Sequence, residues 1–455
     1  MGDHGGGHGG HADLPPLPAM IRPPAGAELA DPPAAADENP AAVVEVNLRA
    51  APSQWEYLPG QPVTIWAFNG TIPGPTIQAS KGDAVVVHFK NDLPEPTTIH
   101  WHGIRVPNDM DGAGRLLQPI PPGGTFDYRF TVGDAGLFWY HPHVRSDVQV
   151  EKGLYGAVVV RDPAEPAIGA AVDRLLVLDD VRVDPGTGQT SDATDMRSEM
   201  MGREGNLLLV NGKPSNGSLR VAQGARTRLR IVNAANARYF NLRLDGASAI
   251  QIGGDGGLLR APQPVIGLLL VPGERVDVVF DAGAPATLKA LPYERARGAG
   301  TGEEMELARI LLDPSAPTVV PPALPSQLRS IDPLQRPTTE QKLTLSESMA
   351  HHGWSFTING KAFPSVPPVD AVLGTRQLWS VRNDSDMDHP LHVHGFFFQK
   401  LGTPEWKDTV NVPAKGALDL VVDFENRPGA AGDWMYHCHI LEHAEGGMMG
   451  EARVR

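Results

Sequence analysis

Short runs of Val, Ile and Leu recur along the chain between turns rich in Gly and Pro. Examples are Ala84–Phe89, Gly156–Val160, Leu207–Val210, Val276–Phe280 and Leu418–Phe424. Apolar spacing at the helical period is scarce. Runs this short, bounded by turn residues and repeated many times, predict β-strands and, together, β-sandwich or barrel domains. Two stretches break the pattern. Residues 1–40 hold fifteen Gly and Pro, three His and little apolar periodicity, and read as a flexible leader. Asp313 to Pro337 contains PSAPTVVPPALP and reads as a linker.

An internal repeat sharpens the domain reading. Asn69-Gly70 opens NGTIPGPTIQASKGDAVVVHFKN, ending at Asn91. Asn211-Gly212 opens NGKPSNGSLRVAQGARTRLRIVN, ending at Asn233. Asn359-Gly360 opens NGKAFPSVPPVDAVLGTRQLWSVRN, ending at Asn383. Each copy runs from an Asn-Gly turn to a Gly-preceded strand and then an Asn. The expected organisation is a leader over 1–40, domains over 41–165 and 166–312, a linker over 313–338 and a third domain over 339–455.

Composition narrows the function. The chain has 455 residues and carries 39 Lys+Arg against 53 Asp+Glu, a formal charge of −14. That balance argues against nucleic acid as a partner. The longest apolar runs, such as Val265–Val271, fall far short of the roughly 18 residues a membrane span needs. A single cysteine, Cys438, rules out a disulfide framework within the chain. The opening residues, MGDHGGGHGGHADLPP, lack the apolar stretch of a signal peptide, which reads as either a cytoplasmic protein or a mature form with its leader removed.

The histidines carry the chemistry. Ten of the 16 fall in four clusters: His100 and His102 in HWHG; His141 and His143 in HPH; His389, His392 and His394 in HPLHVHG; and His437, His439 and His443 in HCHILEHAEGGMM. Every cluster contains His-x-His. On a strand, residues i and i+2 share a face, so each pair aims two imidazoles at one point. Four pairs make more imidazoles than one metal ion can use, and neutral imidazole suits copper, zinc, iron or nickel.

The fourth cluster separates copper from zinc. Cys438 sits between His437 and His439, so it faces the opposite side of the strand. There it can meet His443, with Met448 further on. Two His, one Cys and a weak axial Met form the blue-copper electron-transfer site. Structural zinc usually takes several cysteines and has no redox chemistry. The second His must come from elsewhere, and His389 is available. An electron leaving the thiolate then crosses one residue of backbone to reach His437 or His439. Dioxygen, which needs four electrons to become water, is the acceptor this wiring suggests. The clusters lie in the first and third repeats, which must therefore face each other. The middle repeat is left as a spacer or as a shaper of substrate access.

With these motifs in order, residues 41–455 resemble the three-domain multicopper oxidases of the laccase type. The resemblance implies an all-β chain of three cupredoxin-like Greek-key β-sandwich domains. It implies four coppers per chain: one type 1, one type 2 and two type 3. By motif, His389, Cys438 and His443 would bind type 1 copper with Met448 axial. His100 and His392 would bind type 2 copper, and His102, His141, His143, His394, His437 and His439 the type 3 pair. Asp111, in VPNDMDG, matches a family acid that assists proton delivery, although a turn role before Gly112 fits equally. Many relatives carry Glu after the last His of HCHILEH; here Ala444 stands, with Glu445 next. The implied partners are dioxygen and a small-molecule or metal-ion reductant, and the implied location is periplasmic or secreted, with the leader absent from this sequence.

The implied activity is oxidation of phenols or aromatic amines coupled to reduction of dioxygen to water. The alternatives are a metallo-oxidase acting on Cu(I), Mn(II) or Fe(II), and a copper-binding scaffold or carrier without turnover. Met196, Met200 and Met201 suit Cu(I) chemically but read first as an apolar cover. Trp139 and Tyr140 read as buried packing, and His88, His351 and His352 as structural. His4, His8 and His11 belong to the leader, where Gly2-Asp3-His4 would make a Cu(II) chelate if Met1 were removed.

Overall fold

The three Asn-Gly turns close hairpins of one kind. The flanking residues pair across them, Phe68 with Thr71, Val210 with Lys213 and Ile358 with Lys361. In each turn both central residues have positive φ: Asn69 51° and Gly70 78°, Asn211 53° and Gly212 71°, Asn359 54° and Gly360 71°. This backbone matches the twist of two antiparallel strands, and Asn followed by Gly tolerates it best. The Asn side chain then reaches back to the strand that opens its domain. Its Oδ1 accepts from the amide of Arg49, Val177 or Thr344 at 2.7, 2.7 and 2.8 Å. Its Nδ2 donates to the carbonyl two residues earlier, of Asn47, Leu175 or Lys342.

The Asn that ends each copy is also spent on the backbone. Asn91, Asn233 and Asn383 are fully buried. Asn91 Nδ2 donates to the carbonyls of Glu95 and Ile120, Asn233 to Arg238 and Leu270, and Asn383 to Met387 and Val412. The Oδ1 atoms accept from the amides of Leu93, Ala235 and Ser385. In the first and third copies this bracing holds the loop that leads into His100 or His389.

A computed structural model describes residues 19–24, 26–36, 43–113, 118–191, 195–295, 303–350 and 353–455. It is 49% strand and 5% helix, in six sheets that pair into three cupredoxin-like sandwiches. Strands between Val44 and Arg161 form sheets of four and four, those between Val172 and Leu312 sheets of seven and five, and those between Glu340 and Val454 sheets of five and five. Each sandwich sets its opening strand parallel to the strand that ends in the recurring Asn: Val44–Leu58 with Ala84–Asn91, Val172–Val181 with Arg226–Asn233, and Glu340–Ala350 with Thr375–Asn383. Among the described residues no helix is long and apolar enough to cross a membrane.

Apolar packing joins the sandwiches. Trp139 and Val159 of the first, Leu175 and Leu207 of the second and Leu441 of the third share one buried cluster. Met200, Met201 and Tyr239 of the second lie in the core of the third, with Cys438 and Met448. Of the segment read as a leader, the described part runs along the first two sandwiches, with bridges from Glu28 to Ser218 and Ala34 to Thr76. His4, His8 and His11 lie outside the described residues, as do His351 and His352. The segment read as a linker carries no strand or helix between Leu312 and Glu340. Its Leu328 is buried beside Ile168, Ile252 and Val279 of the middle sandwich.

His88 links three strands of the first sandwich. Its Nε2 is 2.7 Å from Glu45 and its Nδ1 2.8 Å from Asp127. The hydrogen bonds to Glu45 and then Asp127 raise its pKa above the ordinary value. A raised folded-state pKa means the native state binds the proton more tightly, so the stabilisation is complete at low pH and fades as pH rises through that pKa. His88→Gln is therefore expected to lower stability by roughly 0.2–1 kcal/mol at pH 6, and progressively less toward pH 9. Melting temperatures of both proteins at the two pH values read the difference.

Candidate metal centres

Cys438 ends the strand Gly432–Cys438, which pairs antiparallel with His389–Val393 so that Leu391 faces Cys438 and His392 faces His437. The helix Leu441–Glu445 then returns His443 toward the sulfur. Cys438 Sγ lies 3.5 Å from His389 Nδ1 and 3.7 Å from His443 Nδ1, and the two nitrogens are 3.2 Å apart. A triangle of that size has its centre roughly 2 Å from each corner, the ligand distance of a transition-metal ion. The outer nitrogens of both rings are held: His389 Nε2 by Ser385 Oγ at 2.8 Å, and His443 Nε2 by the Met200 carbonyl at 3.1 Å. Phe356 stacks on His443, with ring centres 4.0 Å apart. Met448 is fully buried in the same core; its amide donates to the His443 carbonyl and its carbonyl accepts from the Cys438 amide.

The other eight clustered imidazoles converge on the opposite face of the strand. His437 Nε2 lies 3.0 Å from His394 Nε2 and 3.4 Å from His143 Nε2. His102 stacks on His392 at 3.7 Å and His100 lies over His394 at 3.8 Å. The His439 ring centre is 4.9 Å from that of His102, 5.6 Å from His141 and 5.7 Å from His392. The first and third sandwiches thus face each other, as the distribution of the clusters requires.

Hydrogen bonding divides several of the rings into an outer and an inner nitrogen. His100, His141, His392 and His437 use Nδ1 on the carbonyls of Asp111, Pro142, Asp408 and Cys438, at 2.8–3.0 Å. Within the cluster, Nε2 of His100, His141 and His392, Nδ1 of His102 and both nitrogens of His439 are buried without a hydrogen-bond partner. Stranding a buried polar atom costs about 1–3 kcal/mol. Several stranded lone pairs aimed at a shared space fit a set of metal ions, with the outer hydrogen bonds fixing ring orientation.

Electrostatics agree with ligation. Burial, then neighbouring imidazoles, push the pKa values of His141, His394, His437 and His439 well below the ordinary value. Burial brings His143 and His389 down to about 3. These rings are neutral near pH 7, as ligands must be. Burial pushes the Cys438 thiol up, so a thiolate in this pocket requires a cation beside it. The sulfur, the thioether and the imidazoles together fit copper.

The remaining singled-out residues divide cleanly. Asp111 is buried at the cluster: its Oδ2 accepts from His394 Nδ1 at 2.9 Å, and its Oδ1 lies 3.3 Å from His100 Nδ1. Glu445 is turned away, accepting from the amide and hydroxyl of Ser146. Trp139 stacks on His141 with centres 4.2 Å apart, whereas Tyr140 donates to the Pro75 carbonyl in the first core. Met196 is exposed, while Met200 and Met201 are buried in the core that holds Cys438 and Met448.

Sequence reasoning missed Gly273, Arg275 and Asp408. Asp408 Oδ1 lies 3.2 Å from His102 Nε2. Burial alone would raise its carboxyl, but Arg275 overrides that and holds it well below the usual range. A single acid beside a lysine in WKDTV resembles a solvated loop, so nothing in the pattern marked it. The middle sandwich is therefore more than a spacer: its Gly273, at φ +86°, lies against the cluster. A Cβ there would stand 2.9 Å from both His102 Cε1 and His439 Cδ2. Gly273→Ala is expected to destabilise by about 1–3 kcal/mol and to displace one of those rings. Thermal melting and ¹⁵N-histidine spectra check both effects.

With the geometry in place, kinship is plain. Residues 49–165, 181–288 and 334–455 match three family models, each described as multicopper oxidase. The chain is 34% identical over 438 residues to multicopper oxidase MmcO of Mycobacterium tuberculosis, covering 86% of this chain and 83% of that one. It is 26% identical over 467 residues to a laccase of Bacillus subtilis, covering 85% and 90%. A solved multicopper oxidase from Campylobacter jejuni, described as a metallo-oxidase, superposes with a TM-score of 0.86 at 31% identity, over 97% of this chain and 99% of that one. The chain belongs to the multicopper oxidases, copper-dependent oxidoreductases that use oxygen.

Proposed function

We propose that the protein removes electrons singly from small reductants and delivers four of them to dioxygen, forming water. Type 1 copper would be held by His389, Cys438 and His443, with Met448 completing the set. Type 2 copper would be held by His100 and His392, and the type 3 pair by His102, His141, His143, His394, His437 and His439. Bound copper supplies one-electron redox steps at the first site and oxygen binding at the second. The observation that carries the reading is the turn-about at Cys438. Its sulfur faces His389 and His443, while His437 on the same strand faces His143 and His394. One residue of backbone then separates electron entry from the oxygen site. Asp111 would move protons there: its Oδ1 is buried without a hydrogen-bond partner, beside His100. The reading includes export from the cytoplasm, by family resemblance.

Phenols and aromatic amines are the laccase-type donors. A second reading, oxidation of a metal ion, is favoured by the surroundings of His443. That imidazole is fully buried, with its Nε2 on the Met200 carbonyl, so a bulky ring cannot touch it. A cavity of about 200 Å³ beside it is lined by Asp147, Glu199 and Glu442, with Trp354 and the Phe356 that stacks on His443. Three carboxylates in so small a space suit a cation better than a neutral phenol.

Copper-loaded protein is expected to be intensely blue and to hold four coppers per chain. Cys438→Ser should abolish the colour and turnover together; turnover surviving without the sulfur defeats the electron route. Steady-state rates with a methoxyphenol, Cu(I), Fe(II) and Mn(II) separate the substrate classes. Preference for a metal ion that Glu199→Gln weakens at least several-fold selects the second reading, and efficient phenol oxidation untouched by that change selects the first.

A further inference from the structure

The middle sandwich contributes no histidine to the cluster, yet one of its side chains binds all three domains at the cluster's edge. Arg275 opens the strand Arg275–Asp281 and is almost fully buried. A guanidinium has five N–H donors in a fixed planar fork. Here all five are used. Nε donates to the Leu137 carbonyl of the first sandwich at 3.1 Å. Two donors stay within the middle sandwich, on the carbonyls of Gly273 and Asp255 at 2.9 and 3.0 Å. The last two form a bidentate pair with Asp408 of the third, at 2.7 and 2.5 Å.

Asp408 passes that constraint to two imidazoles. Its Oδ1 lies 3.2 Å from His102 Nε2 and accepts from Thr409 Oγ1 at 2.8 Å. Its backbone carbonyl accepts from His392 Nδ1 at 3.0 Å. His102 is the one cluster ring whose Nε2 is engaged by a carboxylate while Nδ1 is left bare, among the described residues. A free carboxylate can rotate, and its hydrogen bond to an imidazole rotates with it. A carboxylate clamped by a bidentate guanidinium cannot.

We infer that Arg275 is a positioning residue of the oxygen site: through Asp408 it locks the tautomer and ring orientation of His102, and the placement of His392, so that both present bare nitrogens to the cluster. The middle sandwich thereby takes part in assembling a site to which it gives no ligand. This inference rests on the copper-cluster reading above.

The test uses the full chain and three variants. Arg275→Lys keeps the charge but not the fork. Asp408→Asn keeps the shape but not the charge. Arg275→Met/Asp408→Asn removes both charges together, and guards against misfolding from a carboxylate left buried alone. Two-bond ¹H–¹⁵N spectra of metal-free, ¹⁵N-histidine protein report each tautomer. His102 is expected as the Nε2–H form in the wild type and as a mixture in Arg275→Lys and the double variant, with His88 unchanged. On copper loading, the blue band should persist in the variants while affinity at the remaining sites falls roughly ten- to hundred-fold. Arg275→Lys should lie between the wild type and the double variant. Folded variants with an unchanged His102 tautomer and full copper affinity would overturn the inference and leave Arg275 as an interdomain tie alone. A wild type that takes up no copper beyond the blue site would defeat the cluster reading instead, while the metal-free spectra would still decide whether Arg275 sets the tautomer.

Discussion

Adjacent side chains on a β-strand leave on opposite faces, and the chemistry open to this protein follows from where that alternation falls around Cys438. One face of the strand meets a soft sulfur site built inside a single sandwich. The other meets imidazoles that only two sandwiches together can supply. No hinge or long-range movement is needed to connect them, because the connection is covalent. The strand must be anchored for this to hold. Its register against His389–Val393 sets His392 beside His437, so both faces are aligned by one ladder of backbone hydrogen bonds.

The second requirement is rigid contact between domains. Imidazoles from the first and third sandwiches approach within 3.4 Å across the interface. Cores shared between sandwiches hold that distance. The buried asparagines act at the level below, bracing the loops into His100 and His389 with bonds a hydrophobic residue could not make. The middle sandwich adds the Met200 carbonyl over His443 and the Gly273–Arg275 turn against the cluster. It caps one centre and closes the other.

Much of this was legible in the chain. Period-two spacing of histidines announced imidazoles gathered in pairs at strands and strand ends, and Cys438 between two of them announced two faces. The Asn-Gly turns announced a threefold repeat, and the structure supplies its cause: each Asn makes the same pair of bonds to the opening strand. What stayed hidden has a common character. Arg275 and Asp408 matter because they meet, 133 positions apart, and a lone charge in a polar segment looks the same whether solvated or buried. The cover over His443 is a backbone carbonyl, which no side-chain pattern can reveal. The turn of Glu445 toward Ser146 depends on helix geometry after Ala444, which adjacency in sequence does not specify.

The most direct test of single-electron entry joined to four-electron delivery is stoichiometric. With a one-electron donor in excess and oxygen limiting, donor oxidised and oxygen consumed are counted in one vessel, with a parallel assay for hydrogen peroxide. Four donors per dioxygen and no peroxide is the expected result. Two donors per dioxygen with peroxide accumulating would mean that the two centres do not work as one device.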